Sequence, residues 1–341
     1  MIREAVYKIT ENCPCNCGFC DSREKYEKIL KRQTMSYEQW KEITDKLVSQ
    51  GLEVVVISGG EPLLNKETTL KLTKYLQENN VFVVLNASGA LFLEDHKLLD
   101  ELMLSFPDLL VFSIDSIVPE KHDNNRVYKG LFERVSKAIK YIKSKGDFPV
   151  AIRTVITKNN YFEIPEIISH FYKLGVDCVK LTNIENDLDG EFRLNREDLD
   201  KFNNVVKPQI KEILKTCNYE ESNTLSVNLK KIDSLLDKNS KIYDDIAQGR
   251  FAPHLKGEMP CDLNGRFFAI QSNGDVLPCC EAEHHYTPLL GNILIQSVEE
   301  IVNSDEYKKF AKFRLDYCIT CTQSHNIQLD FVKRVEKVDR R

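Results

Sequence analysis

The chain has 341 residues, 29% of them charged and 42% hydrophobic, with a formal net charge of −5. That length suits one large α/β domain with a smaller one beside it. The acidic balance provides no overall basic field to draw nucleic acid or anionic lipid. No run approaches the roughly 20 apolar residues of a membrane span, and the opening Met1-Ile2-Arg3-Glu4 carries no apolar signal segment. A cytoplasmic protein with neither a membrane nor a nucleic-acid partner is expected.

Short apolar runs predict strands over residues 5–10, 53–58, 81–85, 109–114, 150–156 and 176–182. Helical patterns lie between them. Ser36 followed by Gln39 reads as a capping box, Trp40, Ile43 and Leu47 then share one face, and Gly51 ends the helix. Leu131, Val135, Ile139 and Ile142 mark a second helix that stops near Gly146, and residues 164–174 a third that ends at Gly175. Repeated βα units imply a parallel sheet with helices outside, curled by right-handed crossovers into a barrel or part of one. Active sites in such sheets lie at the carboxyl ends of the strands. Residues 187–260 are polar and mostly helical in pattern, a linker or lid with Val205, Ile210, Ile213 and Leu214 as inward positions. Residues 261–325 form a cysteine-rich unit, and 326–341 a charged tail.

Eleven cysteines are many for such a chain. In a reducing compartment disulfides are disfavoured, and metal binding or catalysis is the default. The cysteines are also bunched: four at 13–20, five at 261–321, and only Cys178 and Cys217 between. Cys13, Cys17 and Cys20 fall in the run Cys13-Pro14-Cys15-Asn16-Cys17-Gly18-Phe19-Cys20, directly after the first expected strand. Three thiolates so spaced can hold three irons of a [4Fe–4S] cube and leave one iron open. Structural zinc would need a fourth ligand nearby. Cys15 could provide it by count, but alternate residues of an extended loop point apart, which leaves Cys15 spare. Gly18 lets the loop wrap tightly. After the second strand, in Ser58-Gly59-Gly60-Glu61-Pro62, the glycines let backbone approach a ligand and Glu61 offers an acceptor to an ammonium group.

The second group is Cys261, Cys279, Cys280, Cys318 and Cys321. Residues 272–276 read as a hairpin about Asn273-Gly274. A cysteine before the hairpin, one after it and a later C-x2-C pair can converge into four-thiolate coordination. Zinc satisfies that arrangement as well as iron–sulfur does.

Cys13, Cys17, Phe19 and Cys20 after strand one, with Gly59-Gly60-Glu61-Pro62 after strand two, resemble the two marks of the radical S-adenosylmethionine (SAM) superfamily. The resemblance covers residues 4–182 and implies a partial (β/α)6 TIM-like barrel, here residues 1–186. It implies SAM on the open iron of a first [4Fe–4S] cluster, cleaved reductively to methionine and a 5′-deoxyadenosyl radical that abstracts a substrate hydrogen. By resemblance, Gly59, Gly60, Glu61 and Pro62 hold the SAM amino group, and Asn86 and Ser88 form the polar turn after strand three. Ser113 and Asp115 meet the ribose, and Arg153 reaches the carboxylate. Lys180 and Asn183 stand near strand six. The far cysteines are similar to the SPASM module in its short, Twitch form. That likeness implies Cys261, Cys279, Cys318 and Cys321 as ligands of one auxiliary [4Fe–4S] cluster in a smaller C-terminal domain.

An auxiliary cluster held by four protein thiolates would accept or relay an electron and not bind substrate, and a substrate radical that loses an electron and a proton is dehydrogenated. Epimerisation is the alternative if a cysteine returns a hydrogen atom, with Cys280, Cys178, Cys217 and Cys15 as candidate donors. Members acting on sugars, aminocyclitols and similar polar metabolites share this compact layout, so an oxidoreductase or epimerase on such a small molecule is the first expectation. A peptide maturase or epimerase is the second, weakened because strand one opens the chain without a leader-binding module. A zinc-stabilised, non-enzymatic binding protein is the third. A reducing partner such as flavodoxin or ferredoxin is implied. His122, Asp123, Arg126, Tyr128, His254, His284 and His285 could line a pocket or assist proton transfer, though such residues more commonly belong to surface or core.

Overall fold

The computed structural model describes residues 2–20, 34–93, 95–184, 187, 189–217, 243–248, 266–280 and 288–312. Six parallel strands alternate with helices: β1 (Glu4–Lys8), β2 (Val54–Ser58), β3 (Phe82–Ala87), β4 (Leu109–Ser113), β5 (Val150–Ile156) and β6 (Cys178–Asn183). The strands expected at 5–10, 53–58, 81–85, 109–114, 150–156 and 176–182 all appear, with ends moved by one or two residues. Between them run α1 (Tyr37–Val48), α2 (Lys66–Glu78), α3 (Lys97–Met103), α4 (Pro119–Arg126), α5 (Leu131–Lys145) and α6 (Ile164–Lys173). α1 starts at the expected box: the Ser36 hydroxyl accepts from Gln39 N–H, and the Gln39 carboxamide accepts from Ser36 N–H. Trp40, Ile43 and Leu47 on its inner face are fully buried, as are Leu131, Val135, Ile139 and Ile142 of α5. Gly51 and Gly175 take the left-handed conformation past their helices, at φ 92° and 82°.

The strands are buried on both faces, which is why they read as nearly unbroken apolar runs. Tyr7, Val55, Ile57, Val83, Leu85, Leu110, Phe112, Ile152 and Val179 meet the helices. Val6, Val56, Val84, Val111, Ala151 and Cys178 form a second, inner cluster. Two residues further along each strand, on that same inner face, stand Lys8, Ser58, Asn86, Ser113, Arg153 and Lys180. The inner face therefore changes from apolar to polar at the carboxyl ends, where the architecture places chemistry.

The sheet does not stop at β1. β7 (Phe267–Ile270) pairs parallel to β1, with Glu4 opposite Phe267 and Tyr7 opposite Ile270. β8 (Asp275–Leu277) and β9 (Gly291–Asn292) follow antiparallel. The order β6-β5-β4-β3-β2-β1-β7-β8-β9 leaves β6 and β9 as edges among the described residues, so the barrel is partial and open. The expected hairpin is present: Gly274, at φ 87°, turns the chain and its N–H donates to Gln271 C=O. Ser272 Oγ donates to Glu11 Oε1 at 3.2 Å, and Lys8 Nζ lies 3.1 Å from Glu11 Oε2, tying the hairpin to the exit of β1.

After β6, α7 (Arg196–Lys201) continues through a π-helical turn at Phe202–Val206 into α8 (Lys207–Thr216). Ile210 faces inward, and Ile213 and Leu214 pack at the core margin. Val205 does not: it is exposed, and Val206 is buried in its place. The extra residue of a π turn rotates the following face, which a 3.6-residue period cannot anticipate. Among the described residues no helix is long and apolar enough to cross a membrane.

Candidate active site at the carboxyl edge of the sheet

The loop leaving β1 carries the first cysteines, and the turn leaving β2 holds it in place. Gly60 N–H donates to Thr10 C=O at 2.7 Å, and Glu61 N–H to Asn12 C=O at 2.8 Å. A Cβ on Gly60 would sit 2.3 Å from Asn12 O, and one on Gly59, at φ 141°, 2.3 Å from Thr10 O. The close approach that requires these glycines is thus to the protein's own loop, at Thr10 and Asn12 just before Cys13.

Glu61 is fully buried, and burial raises its pKa. Its carboxylate accepts from Leu63 N–H at 3.2 Å, from Ser88 N–H at 2.7 Å and from the Ser88 hydroxyl. Glu61 and Ser88 therefore join the turns after β2 and β3. Pro62 opens a short 3-10 turn and is buried.

Cys13, Cys15, Cys17 and Cys20 are all free thiols. Cys17 is buried, and burial pushes it up to about 11 against the pull of Arg126. Cys13 and Cys15 share a side-chain hydrogen bond, so they do not point apart. The reason is that the chain bends at Pro14 instead of running extended. Gly18 packs against the Phe192 ring, where a Cβ would lie 3.3 Å from Cζ, and Phe19 meets the same ring edge-on. Among the described residues no three His, Cys, Asp or Glu side chains converge on a single ion. A cube distributes its thiolates over separate irons, so a looser spacing is what it asks for.

Beyond β4, Asp115 is 1% exposed and faces Arg126 of α4. Arg126 Nε and Nη2 donate to its two carboxylate oxygens at 2.6 and 2.8 Å. Asp115 is thereby held by protein, and its backbone C=O also accepts from Asn160 Nδ2 at 3.0 Å. His122 Nδ1 accepts from Asp115 N–H at 3.2 Å, and burial lowers the imidazole to about 4. Asp123 caps α5 through Gly130 and Phe132 N–H, and Tyr128 OH reaches Ala90 C=O at 3.4 Å. His122, Asp123 and Tyr128 are thus architectural, while Arg126 reaches the cysteine loop. Neither Arg126 nor Asn160 carries a sequence signal for these contacts, because each bridges elements at irregular separations.

Ser113, Arg153 and Lys180 are register neighbours on β4, β5 and β6. Lys180 is buried, and burial lowers it to about 8, with Arg153 adding to the fall. Asn86 Oδ1 and Asn183 Nδ2 are buried with no hydrogen-bond partner among the described residues. Free thiols on one loop, an unsatisfied carboxamide and two inward cations fit an iron–sulfur cube with a zwitterionic ligand beside it.

Of the second group, Cys279 is buried on the inner face with Val6 and Cys178, and Cys280 packs against that cluster. Cys261, Cys318 and Cys321 lie outside the described residues, as do His254, His284 and His285. Cys217 sits on the helix side of the sheet, away from the inner face.

Residues 7–171 match the radical SAM superfamily, and residues 261–322 match SPASM, an iron-sulfur cluster-binding domain. The AdoMet-dependent heme synthase of Methanosarcina barkeri is 25% identical over 90% of this chain and 84% of its own. The PqqA peptide cyclase of Xanthomonas axonopodis pv. citri is 22% identical over 91% of this chain and 76% of its own. The structure of Streptococcus suis SuiB bound to precursor peptide SuiA superposes with a TM-score of 0.68 at 19% identity, covering 97% of this chain and 73% of that one. The cysteine loop, the Gly59-Gly60-Glu61 turn that seats it, the open parallel sheet and both domain matches place this chain in the radical SAM superfamily, as an enzyme with SAM, a [4Fe–4S] cluster and a SPASM domain for an auxiliary cluster.

Proposed function

We propose that this enzyme modifies a peptide, with Cys13, Cys17 and Cys20 holding the SAM-binding cluster. Those thiolates would hold a cluster that, when bound with SAM, would supply one-electron reduction of SAM and so hydrogen-atom abstraction from the substrate. The protein's own residues do the rest. Glu61 and Ser88 join the turns after β2 and β3 that would hold the SAM amino group, Asn86 Oδ1 would offer it an acceptor, and Arg153 would take the carboxylate. Ser113 lies beside Arg153 for the ribose. Asp115 supports the loop through Arg126, which engages both of its carboxylate oxygens.

The observation that carries this reading is the change of the inner face from an apolar cluster (Val6, Val56, Val84, Val111, Ala151 and Cys178) to Lys8, Ser58, Asn86, Ser113, Arg153 and Lys180 at the carboxyl ends of the strands. The sheet is open rather than closed, which leaves room for a chain-like substrate. The peptide reading replaces the sugar or aminocyclitol reading because the relatives carry peptide and haem names. Cys279, with Cys261, Cys318 and Cys321, is assigned to the auxiliary cluster, which would supply an electron acceptor for the net two-electron oxidation. A flavodoxin or ferredoxin is the reductant. The test is anaerobic turnover of the reconstituted enzyme with short peptides encoded beside its gene. Formation of 5′-deoxyadenosine together with loss of two hydrogens from the peptide is expected. Turnover on free sugars with no peptide change would overturn the reading.

A further inference from the structure

Arg126 sits at the end of α4, yet every nitrogen of its guanidinium is engaged deep in the molecule. Nε and Nη2 form a two-pronged pair with Asp115, at 2.6 and 2.8 Å, and the partners are 8% and 1% exposed. The third nitrogen, Nη1, donates to Cys17 Sγ at 3.8 Å. The guanidinium carbon lies 5.3 Å from the centre of the Phe19 ring, and the Arg126 carbonyl accepts from Asn16 N–H at 2.9 Å. One residue thus contacts Asn16, Cys17 and Phe19 of the cysteine loop. Asp115, itself held by Asn160 and His122, locks it in a single orientation. A fork fixed by a buried carboxylate is costly to place and gains nothing for β4 alone.

We propose that Arg126, oriented by Asp115, is a positioning residue for the first cluster: it seats the Cys13–Cys20 loop and, by an N–H···S hydrogen bond to Cys17, raises the reduction potential of the cluster that loop holds. A positive donor at a ligand sulfur favours the more negative, reduced cluster, and hydrogen bonds to sulfur are an established control on such potentials. The inference rests on the proposed assignment of Cys17 as a ligand.

The test uses reconstituted full-length protein and follows the SAM-responsive reduced-cluster signal by EPR during redox titration. Arg126→Lys keeps a charge but loses the fork. The paired variant Asp115→Asn with Arg126→Gln leaves no uncompensated buried charge. Both are expected to shift the reduction equilibrium roughly tenfold toward the oxidised cluster, about 59 mV more negative for one electron, with the smaller shift in the lysine variant. Unchanged potentials in folded, iron-replete variants would overturn the inference. If neither variant folds, the wild-type protein decides: arginine labelled with 15N in the guanidino group should give a hyperfine coupling to the reduced cluster, and its absence counts against the proposal. Cys17→Ala separates the two readings. Full loading of a SAM-responsive cluster in that variant would sink the ligand assignment, whereas loss of the cluster there with unchanged potentials in the Arg126 variants would sink only the role of Arg126.

Discussion

Gly60 shows how one missing side chain sets the geometry of a site. Its N–H seats the turn on Thr10, and the space a Cβ would need is occupied by the carbonyl of Asn12. Gly60→Ala should cost roughly 3 kcal/mol in stability and lower iron incorporation, read by urea denaturation and iron analysis. The glycine pair was legible from Gly59-Gly60-Glu61-Pro62, but its partner was not, because the contact lies between two loops distant in sequence. His122 gives a pH test. Burial holds its imidazole at about 4, below the ordinary 6.5 of the unfolded chain. Its contribution is therefore complete above about pH 6.5 and is lost as pH falls toward 4, since unfolding takes up a proton. The loss should be on the order of 2 kcal/mol at pH 5, seen as a falling urea midpoint of the apoprotein. His122→Asn keeps an acceptor for Asp115 N–H and should flatten that dependence relative to wild type.

Elements repeat the same contrast. α1 was readable from its cap and its apolar spacing, since both signals are local. Ser36→Ala removes the side-chain half of the box and should lower stability by about 1 kcal/mol, measured as a shift in thermal midpoint. The turn at Phe202–Val206 was not readable, and Val205 went to the wrong face because a π turn adds a residue to the period. The orientation of Cys15 differs from the extended-loop expectation for a related reason: the bend at Pro14 brings Cys13 and Cys15 together where an extended loop would separate them.

For the whole molecule, the decisive feature is that β1 lies between β2 and β7. A parallel pairing between residues 4–7 and 267–270 spans most of the chain, so the C-terminal hairpin completes the sheet that carries the cysteine loop. A chain ended at residue 258 would leave β1 as an exposed edge with Val6 uncovered. It should aggregate or self-associate in size-exclusion chromatography even though every residue of the radical SAM match is present. A monodisperse monomer would contradict the role assigned to β7.

By itself the sequence determined the six parallel strands, the helices from Ser36, Leu131 and Ile164, the cysteine loop and the Gly-Gly-Glu turn, because capping, periodicity and ligand spacing are encoded within a few residues. It also placed that loop at the carboxyl end of the strands, since βα repeats admit few topologies. Only the tertiary structure decided that the glycines serve the loop, that Glu61 is bound to Ser88, that Arg126, held by Asp115, reaches Cys17, and that β7 extends the sheet through β1. Those contacts join residues far apart in the chain. Their specificity comes from burial and hydrogen-bond geometry, which no local pattern records.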